Sequence, residues 1–334
     1  MSYKIKETPV CGMIGYGSWA TALVHTLQLN RQSIWWHIRN EEVMESLQTE
    51  GRNAKYLSDI EFDPQYVVPT QDINEVVRNC EVILIATPSA FLRSVLGELT
   101  ESLEDKFILS ATKGIVAEEN TTITEYFNRT YGIPYGNLGL ISGPSHAEEV
   151  SRDKLSYLTV ACKNEENAHA IGDMFKNNTF KIAYSTDIYG IEYAAILKNI
   201  YALAAGLAAG LGYGDNFRAV LTAACAQELT RFINESYPFE RDTMNSAYLG
   251  DLLVTSYSSF SRNRRLGQLI GHGCTVKSAL NEMTMVAEGY YADIAIVAPE
   301  EEYVINPEEF YFCVLKIPMP KEKCPELLRH LLSL

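Results

Sequence analysis

The stretch PVCGMIGYGSWATALVHTL, residues 9–27, constrains the fold more than any other part of the chain. A short apolar run turns on Gly15 and Gly17 and continues as a helix with Ala20, Leu23, Val24 and Leu27 on one face. Strand, glycine turn and helix in that order set a helix N-terminus beside the carboxyl end of a strand. The missing Cβ atoms let the backbone approach a ligand, and the free N–H groups of the first helical turn face an anion such as a pyrophosphate. The spacing fits G-x-G-x-x-G/A with Ala20 in the last place. A glycine turn also precedes ordinary helices, so the weight of this one rests on the segments C-terminal to it.

Those segments include a series of apolar runs: SIWWHIR (33–39), CEVILIATP (80–88), KFILSATKG (106–114) and LGLISGPS (138–145). Strands alternating with amphipathic segments predict an α/β, Rossmann-like, doubly wound parallel sheet. Ligands of such sheets sit beyond the carboxyl ends of the strands, and these ends carry Thr87, Pro88, Lys113, Gly143 and Ser145. After the second strand the chain reads Ile38-Arg39-Asn40-Glu41. An NAD site usually has a carboxylate at that strand end for the ribose hydroxyl. Here Arg39 stands there, and its guanidinium can stack on adenine or pair with a 2′-phosphate. NAD and NADP both remain open.

The second half reads as an all-α domain beginning near a Ser-Thr-Asp cap at 185–187, so the expected domains are 1–188, dinucleotide-binding, and 189–334, helical. Its first helix, AAILKNIYALAAGLAAGLG (194–212), places Lys198 beside Asn199 in an apolar segment. At roughly 100° per residue, Ile196, Ile200, Leu203, Leu207 and Leu211 form an aliphatic stripe expected to face the core. Lys198 points roughly 200° away from Ile200, onto a small face with Ala194, Ala195, Tyr201, Ala202, Ala205 and Ala209. One reading is a lysine that snorkels to water. The other is a lysine held in a partly dry cleft, where desolvation lowers its pKa and fits it for proton transfer. The same two polar residues argue against a membrane span.

Two further stretches bear on function. SYSSFSRNRRLGQ (256–268) gathers Arg262, Arg264 and Arg265 in a chain of net charge −14. Local positive charge on an acidic background suits a small phosphorylated ligand, while the overall balance argues against nucleic acid. Just upstream, Asp251 and Thr255 stand four apart and would share a helix face. Seven scattered cysteines (11, 80, 162, 225, 274, 313 and 324) without a CxxC point to a reducing cytoplasm, with neither a disulfide framework nor a metal site expected. The start, MSYKIKETPV, has no apolar run of the signal-peptide kind.

Taken together, GYGSWATAL, SATKGI, SGPSHAEEV, ILKNIYALAAGLAAGLGYGDN and GDLLVTSYSSFSRNRRLG, extended by VAEGYYA (286–292), resemble the soluble NAD(P)-dependent glycerol-3-phosphate dehydrogenases, the bacterial branch in particular. The resemblance implies reversible reduction of dihydroxyacetone phosphate to sn-glycerol 3-phosphate for glycerophospholipid synthesis, and a homodimer. It implies that Lys198 transfers the proton and that Lys113 contacts cofactor and substrate. Asn199, Asp251 and Thr255 would surround the amine. Ser261, Arg262 and Asn263 would hold the substrate phosphate. Ser18, Trp19, Arg39, Tyr56, Lys113, Gly143, Ala147, Arg262 and Glu288 match cofactor contacts, beside Gly15 and Gly17, and Ser145 matches a contact to substrate or cofactor. The chain departs from the family pattern at Ala20, where the family usually has glycine, and at Ala223-Ala224-Cys225, where Thr-Arg-Gly is common. His146 stands where an aromatic is common and reads as a packed imidazole in the site wall. The tail after residue 295 matches poorly. Two alternatives keep the architecture: a 2-hydroxyacid or ketopantoate-type reductase, and a non-catalytic NAD(P)-binding regulator.

Overall fold

The computed structural model describes residues 3–284. By contact the chain divides into two compact units, Met1–Ala195 and Ile196–Leu334.

The first unit is built on an eight-stranded sheet. In chain order its elements are β1 (Cys11–Ile14), α1 (Ser18–Leu29), β2 (Ile34–His37), α2 (Glu41–Glu50), β3 (Val67–Thr70), α3 (Ile73–Asn79), β4 (Val82–Ile85), α4 (Ser89–Leu96) and β5 (Phe107–Ser110). A small hairpin, β6 (Ile115–Val116) and β7 (Thr121–Thr122), leads into α5 (Ile123–Tyr131). Then come β8 (Leu138–Ser142), α6 (Ala147–Val150), β9 (Ser156–Cys162), α7 (Glu165–Phe175) and β10 (Phe180–Ser185). The spatial order β10-β9-β8-β5-β4-β1-β2-β3 runs outward in both directions from β1 and β4. Every pairing is parallel except β8 with β9, which is antiparallel. The doubly wound expectation therefore holds for the core of the sheet, with one reversed pair beyond β8.

Helices cover both faces, so the central strands are apolar on both sides. Val82 and Leu84 of β4 pack with α1 residues Leu23, Val24 and Leu27, while Ile83 and Ile85 pack with Val76 and Val77 of α3 and Leu92 of α4. That two-residue alternation is the pleat of the strand read out by its neighbours. The reversal of strand order falls between β1 and β4, the position where ligands of doubly wound sheets bind. Gly15 follows β1 at φ 126°, and a Cβ there would lie 2.6 Å from the backbone of Ala86. A glycine is obligatory at this point, both for the dihedral and for the approach of the two strand ends.

The described part of the second unit is helical: the greater part of α8 (Ile188–Gly210), then α9 (Asp215–Ser236), a single π turn (Ser246–Gly250), α10 (Asp251–Tyr257), α11 (Arg262–Gly271) and α12 (Val276–Thr284). Two helices cross here through glycine. A Cβ on Gly206 would meet Arg264 O at 1.9 Å, and one on Gly267 would meet Leu203 O at 2.1 Å. Gly210 and Gly271 stand one turn further along in the same contact. Both helices thus carry a G-x-x-x-G face, and their backbones touch.

This crossing corrects the amphipathic reading of α8. Only part of the aliphatic stripe is buried: Leu207 is 7% exposed and, with Leu203 and Leu211, packs against Leu266 and Ile270 of α11, whereas Ile200 is 39% exposed and Ile196 only partly covered. The small face is buried as well, with Ala194, Ala195, Lys198, Tyr201, Ala202 and Ala205 all out of water. Small residues admit close neighbours, and close neighbours exclude solvent. By length and composition α8 is the one helix among the described residues able to cross a membrane, and 61% of that window is buried inside the protein.

Candidate active site

In the first unit the predicted residues gather around the start of α1. Gly17 caps that helix in an extended conformation with no side-chain hydrogen bond, and the first turn holds no acid. A Cβ on Gly17 would have nothing within 4 Å. The first turn of this 12-residue helix is positively polarised and carries no carboxylate of its own. This fits the pyrophosphate of a dinucleotide, and Ser18 and Trp19 open the same turn. Ala20 is fully buried, which is why a small residue suffices in the last position of the fingerprint. The ammonium of Lys113, three residues past β5, lies 5.7 Å from the Trp19 ring centroid. Sequence-distant Lys113 and Trp19 are thereby brought together.

Tyr56 is buried and lies 6.3 Å from the ring of Tyr16 in the glycine turn. Asn53 holds it there. Its amide donates to Tyr16 O (3.0 Å) and Thr21 Oγ1 (2.9 Å), and its Oδ1 accepts from the backbone of Lys55 (3.1 Å) and Tyr56 (3.2 Å). Fully buried Asn53 thus clips the 53–56 loop onto the start of α1. One asparagine in a polar loop gave no sequence signal of this role. Gly143 adopts φ 127°, and a Cβ there would come 2.8 Å from Tyr157 O. Its carbonyl accepts from Ser145 Oγ at 3.2 Å. Ala147, half-shielded His146 and buried Val150 continue into α6, which packs on α1. Arg39, past the end of β2, reaches α4 and the residues after it: its Nη1 donates to Ser94 Oγ (3.3 Å), and Nη2 pairs with Glu98 Oε1 (3.0 Å).

In the second unit the structure joins the residues that sequence could only align on one face. Lys198 Nζ lies 2.5 Å from Asp251 Oδ2, with both side chains at most 5% exposed. Taking both groups out of water is costly, and such a pair stands only where the geometry is good. Thr255 Oγ1 donates to Asp251 O at 2.6 Å, closing the turn of α10 that carries the aspartate. Asn199 is buried beside Lys198 in sequence and in space. Ser261 caps α11, accepting from Arg264 N at 3.3 Å, and Arg262 and buried Asn263 follow in the first turn. Of the other two arginines, Arg265 is exposed near Glu282, whereas Arg264 has its Nε buried without a hydrogen-bond partner. On α9, Ala223 is exposed and Cys225 buried, with Glu228 one turn on accepting from Tyr201 Oη at 3.1 Å. Glu288 lies outside the described residues.

A doubly wound sheet with an uncapped glycine turn at its point of reversal, followed by helices holding a buried lysine–aspartate pair, defines the class of dinucleotide-dependent oxidoreductases. The family follows from comparison. The profile of the NAD-dependent glycerol-3-phosphate dehydrogenase N-terminus matches residues 10–168, and that of the C-terminus of the same family matches residues 187–312. The glycerol-3-phosphate dehydrogenase (NAD(P)+) of Agathobacter rectalis is 36% identical over 297 residues, covering 88% of this chain and 87% of that protein. The like-named protein of Pseudomonas aeruginosa is 33% identical over 284 residues, covering 85% and 82%. Among solved structures, glycerol-3-phosphate dehydrogenase from Coxiella burnetii superposes with a TM-score of 0.76 at 27% identity, over 83% of this chain and 85% of that one. This chain belongs to the NAD-dependent glycerol-3-phosphate dehydrogenase family and is an NAD(P)-dependent oxidoreductase.

Proposed function

We propose that the protein catalyses the reversible NAD(P)H-dependent reduction of dihydroxyacetone phosphate to sn-glycerol 3-phosphate. The observation that carries this reading is the Lys198–Asp251 pair, an amine and a carboxylate in direct contact out of water. Bound NAD(P)H supplies hydride to the ketone carbon. Lys198 gives its proton to the ketone oxygen as the alkoxide develops and takes it back in the reverse direction. A fixed positive charge stabilises a developing oxyanion most where water is excluded. Asp251 fixes the ammonium, Thr255 fixes the turn that bears Asp251, and Asn199 and Lys113 complete the polar surroundings of the substrate. Ser261, Arg262 and Asn263 bind the substrate phosphate, a remote group whose binding energy orients a small ketone.

Gly15, Gly17, Ser18 and Trp19 take the pyrophosphate side of the dinucleotide, and Arg39 and Tyr56 the adenosine side. Lys113, Gly143, Ala147, Arg262 and, from the family pattern, Glu288 contact the cofactor, with Ser145 beside them. In the cell the product feeds glycerophospholipid synthesis, and the enzyme acts in the cytoplasm as a homodimer. Support for a reducing compartment comes from Cys11, Cys80, Cys162 and Cys225, all free and buried. Support for self-association comes from exposed Val220, Met244 and Tyr257 in the helical unit.

The test is oxidation of NADH and of NADPH with dihydroxyacetone phosphate, with Lys198→Ala alongside. Turnover that falls about 10²–10⁴-fold in the variant is expected for loss of a general acid. Tight cofactor binding without turnover, or turnover only with 2-oxo acids, refutes the reading.

A further inference from the structure

We propose that Glu98 sets the cofactor selectivity of this chain: by neutralising Arg39 at the end of β2, it makes the enzyme favour NAD(H) over NADP(H). The inference rests on the proposed function, in which Arg39 meets the adenosine half of a dinucleotide.

Taken alone, an arginine after β2 in place of a carboxylate fits a 2′-phosphate. The structure changes that balance. Both terminal nitrogens of the guanidinium are engaged on α4 and the residues after it, Nη2 with Glu98 Oε1 at 3.0 Å and Nη1 with Ser94 Oγ at 3.3 Å. A fork that is already bidentate to a carboxylate and a hydroxyl is not free to grip a phosphate in the same way. A 2′-phosphate on Arg39 would also lie against the Glu98 charge. The 2′-hydroxyl of NAD has no charge to repel and can itself donate to a carboxylate.

The neighbouring groups do not redress the balance. The nearby loop cation Lys55 is paired with Glu42 of α2 at 2.8 Å. The Asn40 side chain is taken up capping α2, accepting from Val43 N at 3.0 Å. Glu41 and Glu42 occupy the first turn of α2. His37, the last residue of β2, is driven below its ordinary pKa first by burial, so at neutral pH it brings no positive charge. Glu98, Arg39 and Asp72 all act electrostatically on that imidazole, which places the three charges around one strand end. Each cation found there is matched by a fixed carboxylate. The Arg39–Glu98 pair is partly solvated, with side chains 38% and 49% exposed, and adds little to folding stability. Its effect is on the charge that an incoming phosphate meets.

The experiment is calorimetric titration of the full chain with NADH and with NADPH, in the wild type, Glu98→Gln, and the double variant Arg39→Gln with Glu98→Gln. The expected wild type binds NADH about tenfold more tightly than NADPH, the scale of one unit charge met across a few Å of partly solvated protein. Glu98→Gln tightens NADPH by a similar factor of about ten and shifts the ratio toward NADPH, and adding Arg39→Gln abolishes that gain. A wild type that binds NADPH as tightly as NADH, or a ratio unmoved by Glu98→Gln, overturns the inference while leaving the dehydrogenase reading intact. A wild type that binds neither nucleotide overturns both.

Discussion

Replacing Gly206 by alanine adds one methyl group, and in a helix interior that change ordinarily stabilises by about 1 kcal/mol. In this chain the sign should reverse. The new Cβ would sit 1.9 Å from Arg264 O and 2.7 Å from Arg264 C, both backbone atoms of the facing helix. Carbon contacts are comfortable from about 3.5 Å, so α11 must retreat by roughly 1.5 Å or α8 must bend. Overpacking of that kind costs about 1–3 kcal/mol, and at about 2 kcal/mol net the melting temperature falls by roughly 4–8 °C. Function should suffer more than stability. Ser261, Arg262 and Asn263 ride on the start of α11, and Lys198 on α8, so the same retreat moves the proposed phosphate-binding residues away from the proposed proton donor. A displacement of about 1 Å is worth about a hundredfold in kcat/KM for dihydroxyacetone phosphate. Binding of NADH, most of whose proposed contacts lie in the other unit, should weaken less, by no more than the share that Arg262 on α11 supplies. The assay is thermal melting with steady-state kinetics, against Gly136→Ala, where an added Cβ would meet nothing within 4 Å. A Gly206→Ala protein that melts at or above the wild-type temperature with unchanged kinetics refutes the close-crossing argument.

The carboxyl of Glu192, buried against the start of α5, is raised above the ordinary glutamate value of 4.5, first by burial and despite hydrogen bonds from Thr124 and Thr122. The folded chain then holds that proton more tightly than the unfolded one, so the associated stability is present below pH 4.5 and is lost as pH climbs above it; Glu192→Gln should gain on the wild type in melting temperature as pH rises, and a constant difference refutes this. Asn53→Ala removes the clip between the 53–56 loop and α1, which should cost about 1–3 kcal/mol in chemical denaturation and weaken NADH binding. Unchanged stability and affinity would show that the loop holds its place without it.

Residues are legible in the sequence wherever the requirement acting on them is local. Gly15 is legible because the strand, the turn and the helix lie within one stretch, although part of what makes it glycine is the backbone of Ala86 across the sheet. Asp251 and Thr255 fall on one helix face by their spacing alone. The strands β3, β9 and β10, which the apolar runs do not reveal, lack such punctuation: Val-Val-Pro-Thr carries a proline tolerable only at a sheet edge, and neither β9 nor β10 is followed by a glycine turn. The burial of α8 departs from the amphipathic expectation for a related reason. An amphipathic reading assumes that large side chains alone make the core, whereas α8 buries its small face as well, packs Leu203, Leu207 and Leu211 beside the glycine crossing, and leaves Ile200 exposed. The recurrence of Gly206 and Gly210 against Gly267 and Gly271 is present in the sequence, but its meaning depends on the two segments meeting. The same limit governs charge. Lys198 and Arg39 are each visible as cations, yet what each can do is set by a carboxylate far along the chain, Asp251 in one case and Glu98 in the other. With Asp251, the pairing holds a buried amine where the proposed reaction needs a proton; with Glu98, in the selectivity proposed above, it withdraws a guanidinium from the phosphate it would otherwise bind. Residue type announces the chemistry available at a site, and the tertiary partner decides which ligand that chemistry is left free to take.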